Sequence, residues 1–406
     1  MRVPQPFQPL SRRLLAVFTA VAVVAGLASC SEDEKPPIPL SVDGIVIIAS
    51  SHANVPVLTL PEGKREMVSS ALRQGLRVIV VSADGTPERV ELGKLKVEGN
   101  NPTTRRKSLK KKLELVARSI AEPPNADGAS SYEGFAVAVN EAISADMKRP
   151  AFMCIACGLD TMGPLDMTLE GALSADAEST VEALTAKGQL ISFKELFTKA
   201  EVHLISTGYT APPQERLSER QRRLLTDLWS QVLKAGDAEV HVDPHPLNGE
   251  AVKTGHIVPT VTLPPEPVRP IIPACKPEQQ SFDGSSGVRF QPDQDQWVDE
   301  SEARKDLTPI AEWLIADPSR TAVISGTSVD IRSGNPNEGK ALSLARARKA
   351  ADLLVALGVA RSQITDVRGL GPHFPGRVED REPDGTPIRH LQTKNRKIMV
   401  DMTASC

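Results

Sequence analysis

The feature that most limits the fold of this 406-residue chain is a proline-rich stretch near its middle, at residues 246–280. It contains the run PPEPVRPIIPACKP. Proline has no backbone N–H to donate and its φ angle is fixed, so such a stretch stays extended and cannot join the middle of a sheet. The stretch is therefore predicted to be a linker between a domain at residues 41–245 and a second domain at residues 281–406.

Residues 41–245 alternate between short apolar runs and segments with helical periodicity. The apolar runs include GIVIIAS, RVIVVSADG, AFMCIACG and EVHLISTG. Continuous apolar runs are typical of parallel strands that helices cover on both faces. The pattern predicts a three-layer α/β domain with a mostly parallel sheet, loosely similar to Rossmann-like and von Willebrand factor A-like domains.

The loops that follow the strands are where such sheets bind ligands. The first of them contains Ser51 and His52, with neither a glycine-rich phosphate loop nor an aspartate to hold a divalent cation. Asp160 and Asp166, in a later loop, are interpreted as helix-capping or loop-closing residues. No metal or cofactor is predicted, and the domain is interpreted as an interaction module.

Cys154 and Cys157 lie within one of the apolar runs. In a strand, residues three apart point to opposite faces, so these two could not bridge one another without a turn. They are interpreted as small buried apolar side chains. The alternative is a thiol oxidoreductase, in which such a pair normally lies at a helix N-terminus that lowers a thiol pKa.

The N-terminus carries a targeting signal. Two arginines precede an apolar core at residues 14–28, which is short for a membrane-spanning helix. The core closes on Leu-Ala-Ser-Cys, ending at Cys30, and looks like a bacterial lipobox. The resemblance implies a lipoprotein signal peptide at residues 1–29, acylation of the Cys30 thiol and a tether at residues 30–40. The protein is then extracytoplasmic and lipid-anchored, in the cell membrane or the outer membrane.

Residues 281–406 are predicted to alternate between strands and helices. Val288 and Phe290 alternate as in an opening strand, and helices are predicted at residues 302–318 and 341–357. The runs RTAVISG, QITDVRGLG and NRKIMVDM supply the remaining strands. This order predicts a small α+β sandwich of βαβαββ type, with helices on one face of the sheet.

Four segments of this domain occur in an order typical of one protein family. They are VRF before a helix, ISG before a polar loop, ALSLARARKAADLLVALGV, and QITDVRGLG followed by NRKIMV. The third resembles a Leu-Ser-x-x-Arg-Ala helix, and the last resembles an Asn-Arg-Arg-Val closing strand. Each segment is weak evidence alone, but together the chain resembles the OmpA-like peptidoglycan-associated domain.

The resemblance implies non-covalent binding of peptidoglycan through the diaminopimelate of its stem peptide, which carries an ammonium and a carboxylate on one carbon. By the family pattern, Arg346 takes the carboxylate, to which a guanidinium offers a planar fork of donors. Asp330 takes the ammonium, and Asn337 belongs to the same ligand-binding set. Arg396 is a weaker candidate, either for a contact with a carboxylate or for a structural pair.

Two alternatives stay open for these residues. The family usually has Gly-His-Thr-Asp-x-x-Gly before the helix, whereas this chain has GTSVDIRSG, which lacks the histidine and is longer by two residues. Asp330 could therefore be displaced, and its alternative role is an Asx-turn. Arg346 keeps the family's register but lies within a leucine stripe, so its alternative role is a salt-bridged arginine at the edge of the core.

Outside the cytoplasm disulfides persist, and Cys275 and Cys406 flank the second domain, so a disulfide between them is predicted. The predicted function is that of a non-enzymatic envelope lipoprotein that binds a bilayer and peptidoglycan and has an envelope protein as a partner of its α/β domain. The alternative is an OmpA-like fold used for protein docking. A net charge of −3 and 3% aromatic residues argue against nucleic acid.

Overall fold

A computed structural model describes part of the chain, namely residues 37–266, 270–329 and 336–405. The predicted lipidation site Cys30, the loop residue Asp330 and the last residue, Cys406, lie outside these ranges. Their roles, and the pairing of Cys406 with Cys275, stay predictions. No helix within the described ranges is both long enough and apolar enough to cross a membrane.

Within those ranges, the N-terminal part of the chain is built on a six-stranded sheet. Its strands are β1 (Gly44–Ala49), β2 (Arg77–Ser82), β3 (Glu88–Val90), β4 (Pro150–Ile155), β5 (Glu201–Ile205) and β6 (Glu239–Asp243). They lie in the order β3-β2-β1-β4-β5-β6, with β3 antiparallel to β2 and the other pairs parallel. All of β1 and β4 is buried, so the predicted mostly parallel α/β sheet is confirmed.

Five α-helices accompany this sheet within the described ranges. They are α1 (Glu62–Gln74), α2 (Pro102–Ile120), α3 (Ser131–Ser144), α4 (Ala177–Ala186) and α5 (Glu219–Ala235). Helix α1 ends at Gly75, whose φ of 73° is in the left-handed region that favours glycine. Helix α4 begins after Asp176, whose side chain accepts the backbone N–H of Ser179 at 2.6 Å. The Asp176 cap fixes where the first turn of α4, which contains Glu178, lies.

The C-terminal part contains a second, four-stranded sheet within the described ranges, in the order β7-β10-β8-β9. Its elements are β7 (Gln280–Phe282), α6 (Glu300–Ile315), β8 (Thr321–Thr327), α7 (Pro336–Ala356), β9 (Ile364–Gly371), α8 (Arg389–Asn395) and β10 (Ile398–Thr403). Strands β8 and β9 are parallel, and β10 runs antiparallel to β7 and β8. The predicted α+β fold class is confirmed.

One strand of the second sheet was predicted at the wrong place. Val288 and Phe290 do not form the opening strand, because that strand is β7, upstream of them. Phe290 instead forms an isolated bridge with Trp297, and the two rings stack at 4.4 Å between centroids. The alternation of Val288 and Phe290 reflects burial of the first and ring stacking of the second, not membership of a sheet.

Two glycines allow helix α7 to lie directly on the second sheet. A Cβ at Gly326 of β8 would overlap the carbonyl oxygen of Ser343, and a Cβ at Gly369 of β9 would overlap that of Lys340. Both carbonyls belong to α7, so each glycine permits backbone contact that any side chain would prevent. This close approach sets the position of α7, and with it the position of Arg346.

Buried apolar residues form two separate clusters, one for each sheet. The first cluster draws on residues 42–261 and the second on residues 282–402. The proline-rich segment packs along both parts: the Asn54 side chain donates to the carbonyl of Pro259 at 3.1 Å, and the Trp313 indole donates to that of Pro273 at 2.9 Å. The domain boundaries themselves stay a prediction.

Candidate functional site

Arg346 is buried, although its helix lies at the surface of the second sheet. It is 5% exposed. Its Nε donates to the carbonyl of Gln294 at 2.9 Å, and its Nη2 donates to that of Gln291 at 3.2 Å. Its guanidinium carbon lies 5.4 Å from the centre of the Phe290 ring. An arginine can occupy the leucine stripe of α7 because the segment that contains Phe290 supplies acceptors and an aromatic face.

The remaining partner of Arg346 is a carboxylate from the N-terminal part of the chain. Nη2 of Arg346 lies 3.0 Å from Oε2 of Glu178, on helix α4. The other oxygen of the same carboxylate lies 3.1 Å from Nε of Arg396. The carboxylate of Glu178 therefore lies between two guanidinium groups: it accepts a charge-assisted hydrogen bond from Arg346 and forms an ion pair with Arg396.

Arg396 follows helix α8 and is 8% exposed. Its Nη2 lies 3.2 Å from Oε2 of Glu182, its Nη1 lies 3.6 Å from Oδ1 of Asp176, and it also contacts the hydroxyl of Ser179. Three carboxylates of α4 and its cap thus surround one guanidinium. A buried charge is tolerated only when it is paired in this way.

In this cluster, burial and the neighbouring charges act in opposite directions on the pKa values of Glu178 and Arg396. Burial raises the pKa of Glu178, but the positive charges of Arg396 and Arg346 more than offset this effect, so its pKa lies below the ordinary value. Burial also acts to lower the pKa of Arg396, but the carboxylates around it have the larger, opposite effect. The pKa of Arg396 therefore lies above its ordinary value. Because the pKa of Glu178 in the folded protein is depressed, its ion pairs stabilise the fold at any pH above the ordinary carboxyl pKa. This stabilisation is lost as the pH falls through the lower, folded-state pKa.

Of the other two predicted ligand residues, Asp330 lies outside the described residues, and Asn337 is not brought to this cluster. Asn337 lies exposed in the first turn of α7. It is separated from Arg346 by about 13 Å along the helix axis, at 1.5 Å per residue. Of the predicted set, the structure therefore joins Arg346 and Arg396 through a shared carboxylate.

Little space remains beside the two arginines. The cavity there has a volume of about 40 Å³ and is bounded by Glu178, Phe290, Arg346 and Arg396, among other residues. This is space for no more than a few water molecules. In this arrangement the carboxylate of Glu178 lies against both arginines.

The acidic residues of α4 were not identified from the sequence. Glu178 and Glu182 are four residues apart, a spacing that places two side chains on one helix face, and this signal was available. That the face meets Arg346 and Arg396 depends on the packing of the two parts of the chain, and no local pattern carries that information.

The predicted cysteine pair is buried within and just after β4. Cys154 and Cys157 are free thiols, 3% and 2% exposed. Sγ of Cys157 lies 3.6 Å from Nε2 of His52. Burial raises the pKa of Cys157 to about 12 and lowers that of His52 to about 4, so the thiol stays protonated and the imidazole neutral. A reactive cysteine requires a thiolate and access, and this pair has neither.

Asp160 caps a helix, as predicted. It is fully buried, and its two carboxylate oxygens accept the backbone N–H groups of Ser131 and Tyr132, each at 2.8 Å. Both donors belong to the first turn of α3, so Asp160 ties the loop after β4 to that helix. Asp166 accepts the N–H of Thr168 at 2.8 Å and closes an exposed turn. Among the described residues, no group of three or more His, Cys, Asp or Glu is arranged to hold a metal ion.

Part of the chain is similar to several solved structures. No family model and no curated protein match the chain. The periplasmic domain of MotB is 13% identical, with a TM-score of 0.25, and the match covers 32% of this chain and 64% of that one, less than two thirds of its length. The cell wall anchor of the T6SS from Pseudomonas aeruginosa is 20% identical, with a TM-score of 0.25, and the match covers 32% of this chain and 81% of that one. An OmpA-like domain from Francisella tularensis is 15% identical, with a TM-score of 0.23 and coverage of 31% and 71%. The matched region is the C-terminal part.

Proposed function

We propose that this protein is an envelope lipoprotein whose C-terminal part binds peptidoglycan non-covalently. One observation supports the proposal above the others. Arg346, at the position that the family motif gives to the ligand-binding arginine, holds a carboxylate together with Arg396. That carboxylate belongs to Glu178, so a side chain of the protein occupies the place that the motif assigns to the ligand.

The ligand would engage the site through the same chemistry. The carboxylate of diaminopimelate would take the place of Glu178 on Arg346, with Arg396 at its second oxygen. Its ammonium would pair with Asp330, and Asn337 would contribute from the first turn of helix α7. A carboxylate that accepts a hydrogen bond from Arg346 and lies beside the guanidinium of Arg396 faces two positive charges, whereas a single lysine would supply one.

Arg346→Ala is expected to weaken binding to peptidoglycan by well over tenfold, because truncating one side of a desolvated charge pair costs about 2–5 kcal/mol. The measurement is cosedimentation of the full-length protein, in mild detergent, with purified cell-wall sacculi over a range of concentrations. Arg348→Ala is the matched control, since Arg348 lies on the same helix and is exposed. Equal retention of Arg346→Ala and Arg348→Ala would contradict the proposed site.

Anchoring is proposed to occur through lipid on Cys30, with the N-terminal part presenting a surface to another envelope protein. Cys30→Ser is expected to move the protein from the membrane fraction to the soluble periplasmic fraction, because two acyl chains provide the stable anchor. Fractionation of cells that express each form, followed by immunoblotting, measures this change. Retention of Cys30→Ser in the membrane fraction would show that another segment anchors the chain.

A second candidate function is protein docking through the same arginine pair. It is favoured by the fact that the pair holds three carboxylates of an acidic helix, a partner that another envelope protein could also offer. The two candidates differ in their ligand. Titration with a diaminopimelate-containing peptide, followed by NMR of the Arg346 side chain, gives a saturable shift for peptidoglycan binding and none for docking alone.

A further inference from the structure

The carboxylate on the arginine pair comes from the other part of the chain, and this bears on how binding is controlled. Resting on the proposed function, we infer that helix α4 is an internal competitor of peptidoglycan. In the closed form described above, Glu178 occupies Arg346 and Arg396. In an open form, the carboxylate of the stem peptide takes its place.

Charge complementarity between the two parts supports this inference. The face of α4 presents Glu178 and Glu182, with Asp176 at its cap. Opposite them lie Arg346 and Arg396, together with Arg381, whose Nη2 lies 2.9 Å from Oε1 of Glu182. Three carboxylates thus meet three guanidinium groups. A ligand carboxylate can replace Glu178 with the same charge, so Arg346 and Arg396 keep a carboxylate partner in the open form.

The closed form has no space for a peptide. Small-molecule pockets in proteins are typically about 300–1,000 Å³, whereas the cavity beside Arg346 and Arg396 is about 40 Å³. Glu178 lies in that space, and the carbonyls of Gln291 and Gln294 take other donors of Arg346. Binding of a stem peptide at this position therefore requires that Glu178 leave.

The contact between the two parts is of a kind that can open. Each part has its own apolar core. Between them lie further ion pairs, such as Arg223 with Glu302 at 2.8 Å and Arg289 with Asp227 at 3.2 Å. Polar contacts of this kind are typical of domains that move relative to one another, unlike large apolar interfaces. A ligand that binds only the open form shifts the equilibrium toward it.

The first test removes the competitor. Glu178→Gln, and Glu178→Gln combined with Glu182→Gln, are expected to bind purified sacculi at least tenfold more tightly than the wild type, because the apparent affinity is lowered by the fraction of molecules that are closed. Binding is measured by cosedimentation of full-length protein in mild detergent. Glu195→Gln is the matched control, since Glu195 is exposed, and circular dichroism verifies that each variant is folded.

The second test holds the two parts together. The hydroxyl oxygens of Ser179 and Thr393 lie 3.4 Å apart across the contact, so Ser179→Cys with Thr393→Cys places two thiols within reach of a disulfide. The oxidised variant is expected to lose binding to sacculi and to recover it on reduction. Wild-type protein given the same oxidant and reductant controls for the other cysteines.

The outcomes separate the inference from the function on which it rests. Tighter binding by the Glu178 variants, weakened again by Arg346→Ala, supports both. If wild type and Glu178→Gln bind sacculi with equal affinity, and both depend on Arg346, then α4 is not a competitor but the proposed function stands. Undiminished binding by the oxidised cysteine variant would lead to the same conclusion. Absence of Arg346-dependent binding in every variant overturns the proposed function, and the competitor with it.

Discussion

Arg396→Ala is expected to lower the free energy of unfolding of the full-length chain by about 3–5 kcal/mol, the cost typical of removing one partner from a buried ion pair. The side chain of Arg396 is 7% exposed and lies against Asp176, Glu178 and Glu182. Its loss leaves three carboxylates with two guanidinium groups in a poorly solvated space. Denaturant unfolding followed by circular dichroism measures the change.

A surface ion pair provides the matched control for Arg396. Arg368 pairs with Asp366 at 2.6 Å, but its side chain is 56% exposed, so Arg368→Ala is expected to change stability by less than about 0.5 kcal/mol. Arg396→Ala made together with Glu178→Gln is expected to cost less than the sum of the two single changes, because the residues share one network. Similar unfolding of Arg396→Ala and Arg368→Ala would show that the cluster does not stabilise the chain.

The elements that the sequence predicts well are those whose burial is continuous. Strands β1 and β4 were predicted from apolar runs, since a strand covered on both faces has no polar side to interrupt the pattern. Strand β3 was missed because it is a three-residue edge strand with exposed glutamate and arginine. Helix α8 was missed because seven mostly polar residues, RHLQTKN, carry no apolar period.

The candidate site could be predicted only on its C-terminal side. The predicted helix at residues 341–357 contains Arg346, and the structure places Arg346 in helix α7, because the register of a helix is a local property. Its alternative role, a salt-bridged arginine at the edge of the core, agrees with its pairing to Glu178. The identity of that partner was out of reach, because it is set by how two separately packed parts of the chain meet.

Asp160→Ala is expected to lower the free energy of unfolding by about 3 kcal/mol, because it leaves two buried backbone donors without acceptors, each of which costs about 1–3 kcal/mol. The donors are the N–H groups of Ser131 and Tyr132, in the first turn of α3, and both residues are buried. Burial raises the pKa of Asp160 to about 7, which shows that the buried carboxylate is itself costly to desolvate. Its removal recovers part of that cost and so limits the net loss of stability. Thermal or denaturant unfolding of the full-length chain measures it.

Asp166→Ala is the matched control, because Asp166 lies in the same loop but accepts from Thr168 in an exposed turn. It is expected to cost less than about 1 kcal/mol, since water can replace the lost acceptor. Asp160→Asn is expected to fall between the two, because one oxygen remains to accept from one of the two N–H groups. Equal stability of Asp160→Ala and Asp166→Ala would mean that the loop after β4 relaxes and finds new acceptors for α3. A graded loss of unfolding free energy across the three variants would show that the cost comes from the two buried N–H donors. Asp160 would then have a structural role at the edge of the sheet where parallel α/β folds commonly bind ligands.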